Sequence, residues 1–148
     1  MISPAEADGL IGQHLNCLPI ESLPLTQCAG AILRENVYGE RDQPPFDRVA
    51  MDGIAIDSGA VRQGARRLHV QALQAAGDPP LTLANGQHCI EIMTGAMLPT
   101  GCDAVVPVEQ IRTAEGFATL GDDAAPEPYA NVHRRGSDSR QGALLLSA

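Results

Sequence analysis

The chain contains no lysine: all ten of its basic side chains are arginine, at positions 34, 41, 48, 62, 66, 67, 112, 134, 135 and 140. Within this chain that excludes a Schiff-base amine and a phosphate-binding P-loop, each of which requires a lysine. What remains is guanidinium chemistry, the bidentate recognition of phosphate or carboxylate. A GC-rich coding bias accounts for most of the deficit. Tryptophan is also absent and aromatic residues make up only 3% of the chain, which removes the stacking platforms of single-strand recognition. A formal net charge of −8 and a pI near 4.8 argue against a groove for a phosphate backbone, so no nucleic acid is expected as a partner. The four cysteines, at 17, 28, 89 and 102, make no CxxC pair, and the start of the chain has no signal-peptide pattern. Reduced thiols and a cytoplasmic location are therefore expected. No apolar run has the length of a membrane span, so no membrane partner is expected either.

A chain of 148 residues, 44% of them apolar, can bury roughly two-thirds of its unfolded surface, as one domain or two small intertwined ones. With so few aromatics, its core must be built from Leu, Ile, Val, Ala and Met. Ser3, Pro4 and Glu6 form a capping-box signature, and Ala7, Leu10, Ile11, His14 and Leu15 recur on one helical face, predicting an amphipathic helix to about Asn16. His14 is expected to pack on that stripe rather than to ligate a metal. Thr26 is a candidate second cap. Beyond Gln43 the pattern predicts short strands at 49–56, 68–73, 88–93, 104–108 and 116–120, a small barrel or sandwich, with Asn85 and Gly86 suited to a tight hairpin. Residues 121–130, acidic and proline-bearing, read as a hinge or linker. The apolar strand at 143–146 has no late partner and is expected to pair back with the N-terminal portion.

The most informative segment is PPFDRVAMDG, residues 44–53. Its prolines remove two backbone donors and fix an extended entry. Asp47 and Asp52 follow, and strand alternation from Val49 puts Asp52 on the same side as Ala50, Ile54 and Ile56, an odd place for a carboxylate. Gly53 can admit another backbone or a ligand, which makes Asp52 either a usable acid or a solvated turn aspartate.

A second candidate lies at 88–110, where a strand runs into Thr94 and Gly95; a hydroxyl and exposed amides there can hold an anion, or the segment is an ordinary Gly/Pro loop. The third is NVHRRGSD, residues 131–138. Arg134 and Arg135 beside Gly136 suit a phosphate, or form a solvated face or ion pairs with nearby acids. The histidines, His14, His69, His88 and His133, are scattered, and no HExxH, EF-hand or GxSxG pattern occurs. A hard divalent ion such as Mg²⁺, held by a carboxylate and substrate phosphates, is compatible with Asp52 or Asp138.

PPFDRVAMDGIAI, then IEIMTGAMLPTGCDAVVPVE, then NVHRRGSD leading to GALLL, in this order and spacing, resembles the N-terminal region of the MoeA/gephyrin family of molybdopterin molybdenumtransferases over nearly the whole chain. The resemblance implies a mainly β, α+β fold with an N-terminal helix, in which a small barrel-like domain (45–127) is inserted into an elongated mixed α/β-strand domain (1–44 plus 128–148). It implies insertion of molybdate into adenylylated molybdopterin with release of AMP, dependence on Mg²⁺, a homodimer, and a possible encounter with the molybdopterin adenylyltransferase. By motif, it assigns Asp52, Thr94 and Asp138 to catalysis, Gly95, Arg134 and Arg135 to cofactor binding, and Asp52 and Asp138 to the metal. In the complete enzyme Thr94 would hydrogen-bond an oxyanion and an arginine would neutralise phosphate.

The chain departs from the family pattern where that pattern reads PFDNSAMDG, having Arg48 and Val49, and in NIRRRGED, having His133 and Ser137. These changes bear on substrate handling near both segments. Family members continue into an α/β domain and a C-terminal β domain that this chain does not contain, so it is expected to supply half of an inter-subunit site and to be silent alone. The alternative is a non-catalytic dimerisation or scaffold module.

Overall fold

The computed structural model describes residues 2–16 and 18–148. The chain divides into two compact units, Met1–Asn36 with Ser147–Ala148, and Val37–Leu146.

The first unit carries helix α1 (Pro4–His14), and its start is the predicted capping box: Ser3 Oγ accepts the Glu6 N–H while Glu6 Oε2 accepts the Ser3 N–H at 2.7 Å. No residue of α1 is buried. His14 does not pack in a core as expected; it is exposed, and its Nδ1 donates to the Leu10 carbonyl at 2.8 Å, closing the last turn. Leu10, Ile11 and Leu15 are likewise exposed. Thr26 is not a cap either. It sits inside a 3-10 turn, Leu25–Gln27, that follows Pro24 without any side-chain cap.

The second unit is built on a curled half-barrel sheet of six strands in the order β6-β3-β5-β4-β8-β7. Its strands are β3 (Gly53–Ile56), β4 (Arg67–Gln74), β5 (His88–Ile92), β6 (Ala104–Pro107), β7 (Ile111–Ala114) and β8 (Phe117–Leu120). Two short ladders complete it: β1 (Val37–Tyr38) with β10 (Leu144–Leu146), and β2 (Arg48–Val49) with β9 (Val132–His133). The late apolar strand thus pairs back with the N-terminal portion of this unit, as its lack of a nearby partner predicts. A short helix, α2 (Ser58–Arg62), is capped by Asp57 and follows β3.

The predicted strand at 49–56 is really two. Residues 48–49 join one ladder, 51–52 bend, and β3 begins only at Gly53. Every residue of β3 is buried, with Ile54 and Ile56 facing Leu68, Cys89, Val106 and Leu120 on one side and Ala55 facing Val49, Ile92 and Val105 on the other. A strand covered on both faces shows no alternation, so the apparent placement of Asp52 on an apolar side is corrected: it precedes the strand and is exposed.

The hairpin expected at Asn85–Gly86 does not form, because β4 and β5 run parallel. Parallel neighbours need a long connection, and here the buried Gln74 fastens it, its Nε2 donating to the Met97 carbonyl and its Oε1 accepting the Leu81 N–H, each at 2.7 Å. The tight hairpin is instead β7–β8, turned at Glu115 and Gly116, both at positive φ. Nor are residues 121–130 a free linker. Ala124 lies in the core, Arg66 donates to the carbonyls of Ala124 and Gly121, and Tyr129 N–H donates to the Asp103 carbonyl.

Candidate functional site

Antiparallel pairing sets Gly53 opposite Ile92, so the residue before β3 meets the residues after β5. Asp52 and Thr94 are those residues. Asp52 Oδ1 accepts from both the backbone N–H and the hydroxyl of Thr94, each at 2.7 Å. An ionised carboxylate only accepts, so the hydroxyl proton must point at Asp52. These two bonds, the backbone one first, outweigh a small desolvation effect and hold the Asp52 carboxyl below its usual value of 3.8. The second oxygen, Oδ2, takes no part in either bond, and the residue is exposed.

The loop that follows uses its own amides. Thr94 N–H goes to Asp52, Gly95 N–H to the Val49 carbonyl and Ala96 N–H to the Met93 carbonyl. In this conformation none is turned outward for an anion. While its proton is on Asp52, Thr94 Oγ1 likewise offers a ligand lone pairs rather than a donor. Gly95, at φ +90, makes the turn that lets Thr94 fold back.

The third segment is tied to the same region through β2. Arg48 pairs with His133 and Val49 with Val132, while Val49 also holds the loop after β5 through both its N–H and its carbonyl. Asp138 is exposed and accepts from His133 Nε2 at 2.7 Å, and His133 Nδ1 lies 3.2 Å from an Arg48 guanidinium nitrogen. Of the two arginines beside Gly136, Arg135 is committed: its Nε donates to Asp42 at 2.7 Å and its N–H to Asp47 at 2.8 Å. The Gln141 N–H and then Arg135 hold the Asp42 carboxyl below its usual range. Arg134 lies over the Tyr129 ring, 4.1 Å from its centroid, a cation–π placement that leaves its N–H groups for other partners.

The structure therefore joins Asp52 to Thr94 directly, and connects the pair with the Asp138 segment through Arg48 and Val49. Among the described residues, no three His, Cys, Asp or Glu side chains gather as a metal cage. Mg²⁺ does not need one, since it commonly binds through one or two carboxylates plus substrate phosphate and water. Asp52 Oδ2 fits that mode. No helix among the described residues is long and apolar enough to cross a membrane. The links Arg48 to His133, Asp42 to Arg135 and Asp47 to Arg135 were not legible in the sequence, because each spans 85 or more residues and no local pattern encodes them.

Comparison with known proteins identifies the family. The family described as MoeA N-terminal region (domain I and II) matches residues 2–148. A molybdopterin molybdenumtransferase of Synechocystis is 35% identical over 148 residues, covering 100% of this chain and 38% of its own length. That of Haemophilus influenzae is 34% identical over 126 residues, covering 85% of this chain and 31% of its own. The molybdopterin biosynthesis MoeA protein of Pyrococcus horikoshii superposes with a TM-score of 0.77 at 30% identity over 99% of this chain and 38% of its own. The chain thus spans a little over a third of the first of these relatives. With the motifs, the half-barrel sheet and the match over residues 2–148 in agreement, this chain belongs to the MoeA N-terminal family.

Proposed function

We propose that the chain acts in molybdenum cofactor biosynthesis as part of a molybdopterin molybdenumtransferase, furnishing one side of a site that inserts molybdate into adenylylated molybdopterin and releases AMP. The observation that carries this reading is the Asp52–Thr94 pair: an exposed carboxylate with one oxygen clamped by two short hydrogen bonds and the other, among the described residues, left open. Relatives named molybdopterin molybdenumtransferase support the reaction class. The division into an elongated domain (1–44 plus 128–148) and an inserted domain (45–127) is part of the proposal, supported by the β1–β10 ladder, which pairs residues 37–38 with 144–146 across the intervening chain.

The chemistry is positioning and electrostatics, with no nucleophile. Asp52, held by Thr94, and Asp138, held by His133, would provide oxygens for Mg²⁺. That ion would neutralise phosphate charge when it binds with the substrate. Arg134, not committed to a carboxylate, would pair with phosphate. Arg135 would follow only by leaving Asp42, and Thr94 or Gly95 would reach an oxyanion only by releasing its present acceptor. The large apolar side chains exposed in the first unit, among them Leu10, Ile11, Leu15, Leu18 and Ile20, support a homodimer. The molybdopterin adenylyltransferase is a further partner on this reading, and the cytoplasm the location.

The second reading, a dimerisation or scaffold module, is favoured by the engaged loop amides and by the Arg135–Asp42 ion pair. Asp52→Ala in the full-length protein separates the two. It is expected to lower molybdate insertion roughly a hundredfold or more while circular dichroism shows an unchanged fold; a wild-type rate removes Asp52 from the site. The 148-residue chain alone is expected to show no insertion, and measurable turnover by it refutes the half-site.

A further inference from the structure

Arg48, His133 and Asp138 form a single hydrogen-bonded chain. An Arg48 guanidinium nitrogen lies 3.2 Å from His133 Nδ1, and His133 Nε2 lies 2.7 Å from Asp138 Oδ1. Guanidinium nitrogens only donate, so Nδ1 must accept; the ring proton then sits on Nε2 and is given to Asp138. Both ends of the imidazole are thereby assigned. The backbone enforces the first contact, since Arg48 and His133 are direct partners in the β2–β9 ladder. It also enforces the second, because the turn through Gly136 is fixed by Gly136 N–H on the Pro44 carbonyl and Asp138 N–H on the Gln43 carbonyl, each at 2.9 Å.

Asp42 and Asp138 differ in an informative way. Asp42 meets a guanidinium directly, at 2.7 Å from Arg135. Asp138 is held by an imidazole, with the guanidinium one ring further away, and its Oδ2 accepts from neither His133 nor Ser137. Its orientation is set without its charge being cancelled by contact.

We propose that Arg48 is a positioning residue that acts through His133, locking the imidazole in its Nε2–H form so that Asp138 is pinned by one oxygen and presents the other to the bound ligand. Arg48 itself does not touch the reacting atoms. The functional part of this rests on the reading of Asp138 as a site residue given above; the tautomer does not.

Two measurements test it. In the ¹⁵N-labelled 148-residue chain, long-range proton–nitrogen correlation at neutral pH is expected to show His133 in the Nε2–H form; because the Asp138 carboxylate also favours that form, the informative variant is Asp138→Ala, in which Arg48 alone is expected to retain it, whereas Asp138→Ala with Arg48→Ala is expected to lose it. An Nδ1–H ring, or loss of the Nε2–H form in Asp138→Ala while Arg48 is present, overturns the relay. In the full-length protein, Arg48→Ala and His133→Ala are each expected to slow molybdate insertion roughly ten- to a hundredfold, with the larger change in kcat rather than KM. Because the relay runs from Arg48 through His133 to Asp138, the double variant is expected to be no slower than His133→Ala alone. Effects that multiply overturn the proposal. Wild-type turnover in Asp138→Ala overturns the site reading and the functional part with it, whereas the tautomer result still reports the relay on its own.

Discussion

Thr94 gives both its backbone N–H and its hydroxyl proton to one oxygen of Asp52, at 2.7 Å each. The carboxyl therefore titrates below its usual value of 3.8 when folded. The unfolded chain binds more protons in that interval, so the pair's contribution to stability is complete above the ordinary value and disappears as pH falls through the depressed one. Thr94→Val deletes the hydroxyl bond and keeps the N–H. The Asp52 midpoint, followed by carbon-detected NMR, is expected to rise toward 3.8 without reaching it, because the backbone bond is the larger cause. An unmoved midpoint would show that the hydroxyl is bonded elsewhere.

Gly53 lies against β6 with no room for a side chain. A Cβ there would come 2.0 Å from the Val106 carbonyl oxygen and 2.9 Å from its carbon, both backbone atoms that cannot swing aside. Gly53→Ala is expected to cost about 3 kcal/mol or more in urea unfolding, the range of severe overpacking. Gly9, within α1 and with nothing within 4 Å of such a Cβ, is the contrast: Gly9→Ala should add up to about 1 kcal/mol of helix stability.

Arg66 clamps the segment after β8 by donating to the carbonyls of Ala124 and Gly121. Without it, two partly buried acceptors lose a charged donor. Arg66→Ala is expected to speed amide hydrogen exchange at residues 121–125 roughly tenfold or more while leaving β3 and β5 protected. Uniform acceleration throughout the second unit would mean that the clamp supports the entire sheet.

Thiol reactivity should sort by burial. Burial pushes the Cys89 thiol up to about 11 and the Cys102 thiol up to about 12, whereas Cys28 is exposed. Only the thiolate alkylates rapidly. Iodoacetamide at pH 8, read by peptide mass spectrometry, is expected to modify Cys28 well before Cys89 and Cys102, and early labelling at Cys89 would show that the core opens.

Local rules were legible where the backbone obeys its neighbours. Ser3, Pro4 and Glu6 specify the start of α1 because a capping box closes within four residues. The strands near 68–73, 88–93, 104–108 and 116–120 were visible because β-branched and apolar residues cluster between turns. Asn85–Gly86 does not make a hairpin for a definite reason: Asn85 Oδ1 accepts the Gln87 N–H in a local turn, and the same dipeptide serves a turn whether or not the strands beside it pair. Gln71 and Gln74, which pin that connection, carry no recognisable motif.

The sequence by itself determined the family and the mainly β character, and marked Asp52, Thr94 and Asp138 as candidates, because motif order and apolar patterning are written along the chain. Only the tertiary structure decided that Asp52 stands ahead of β3 and not on its face, that Thr94 spends its proton on that carboxylate, and that Arg48 reaches Asp138 through His133. Hydrogen bonds are short and directional. Which donor meets which acceptor across 42 or 85 residues depends on strand register, and register is set by packing on both faces of the sheet rather than by any neighbour in sequence.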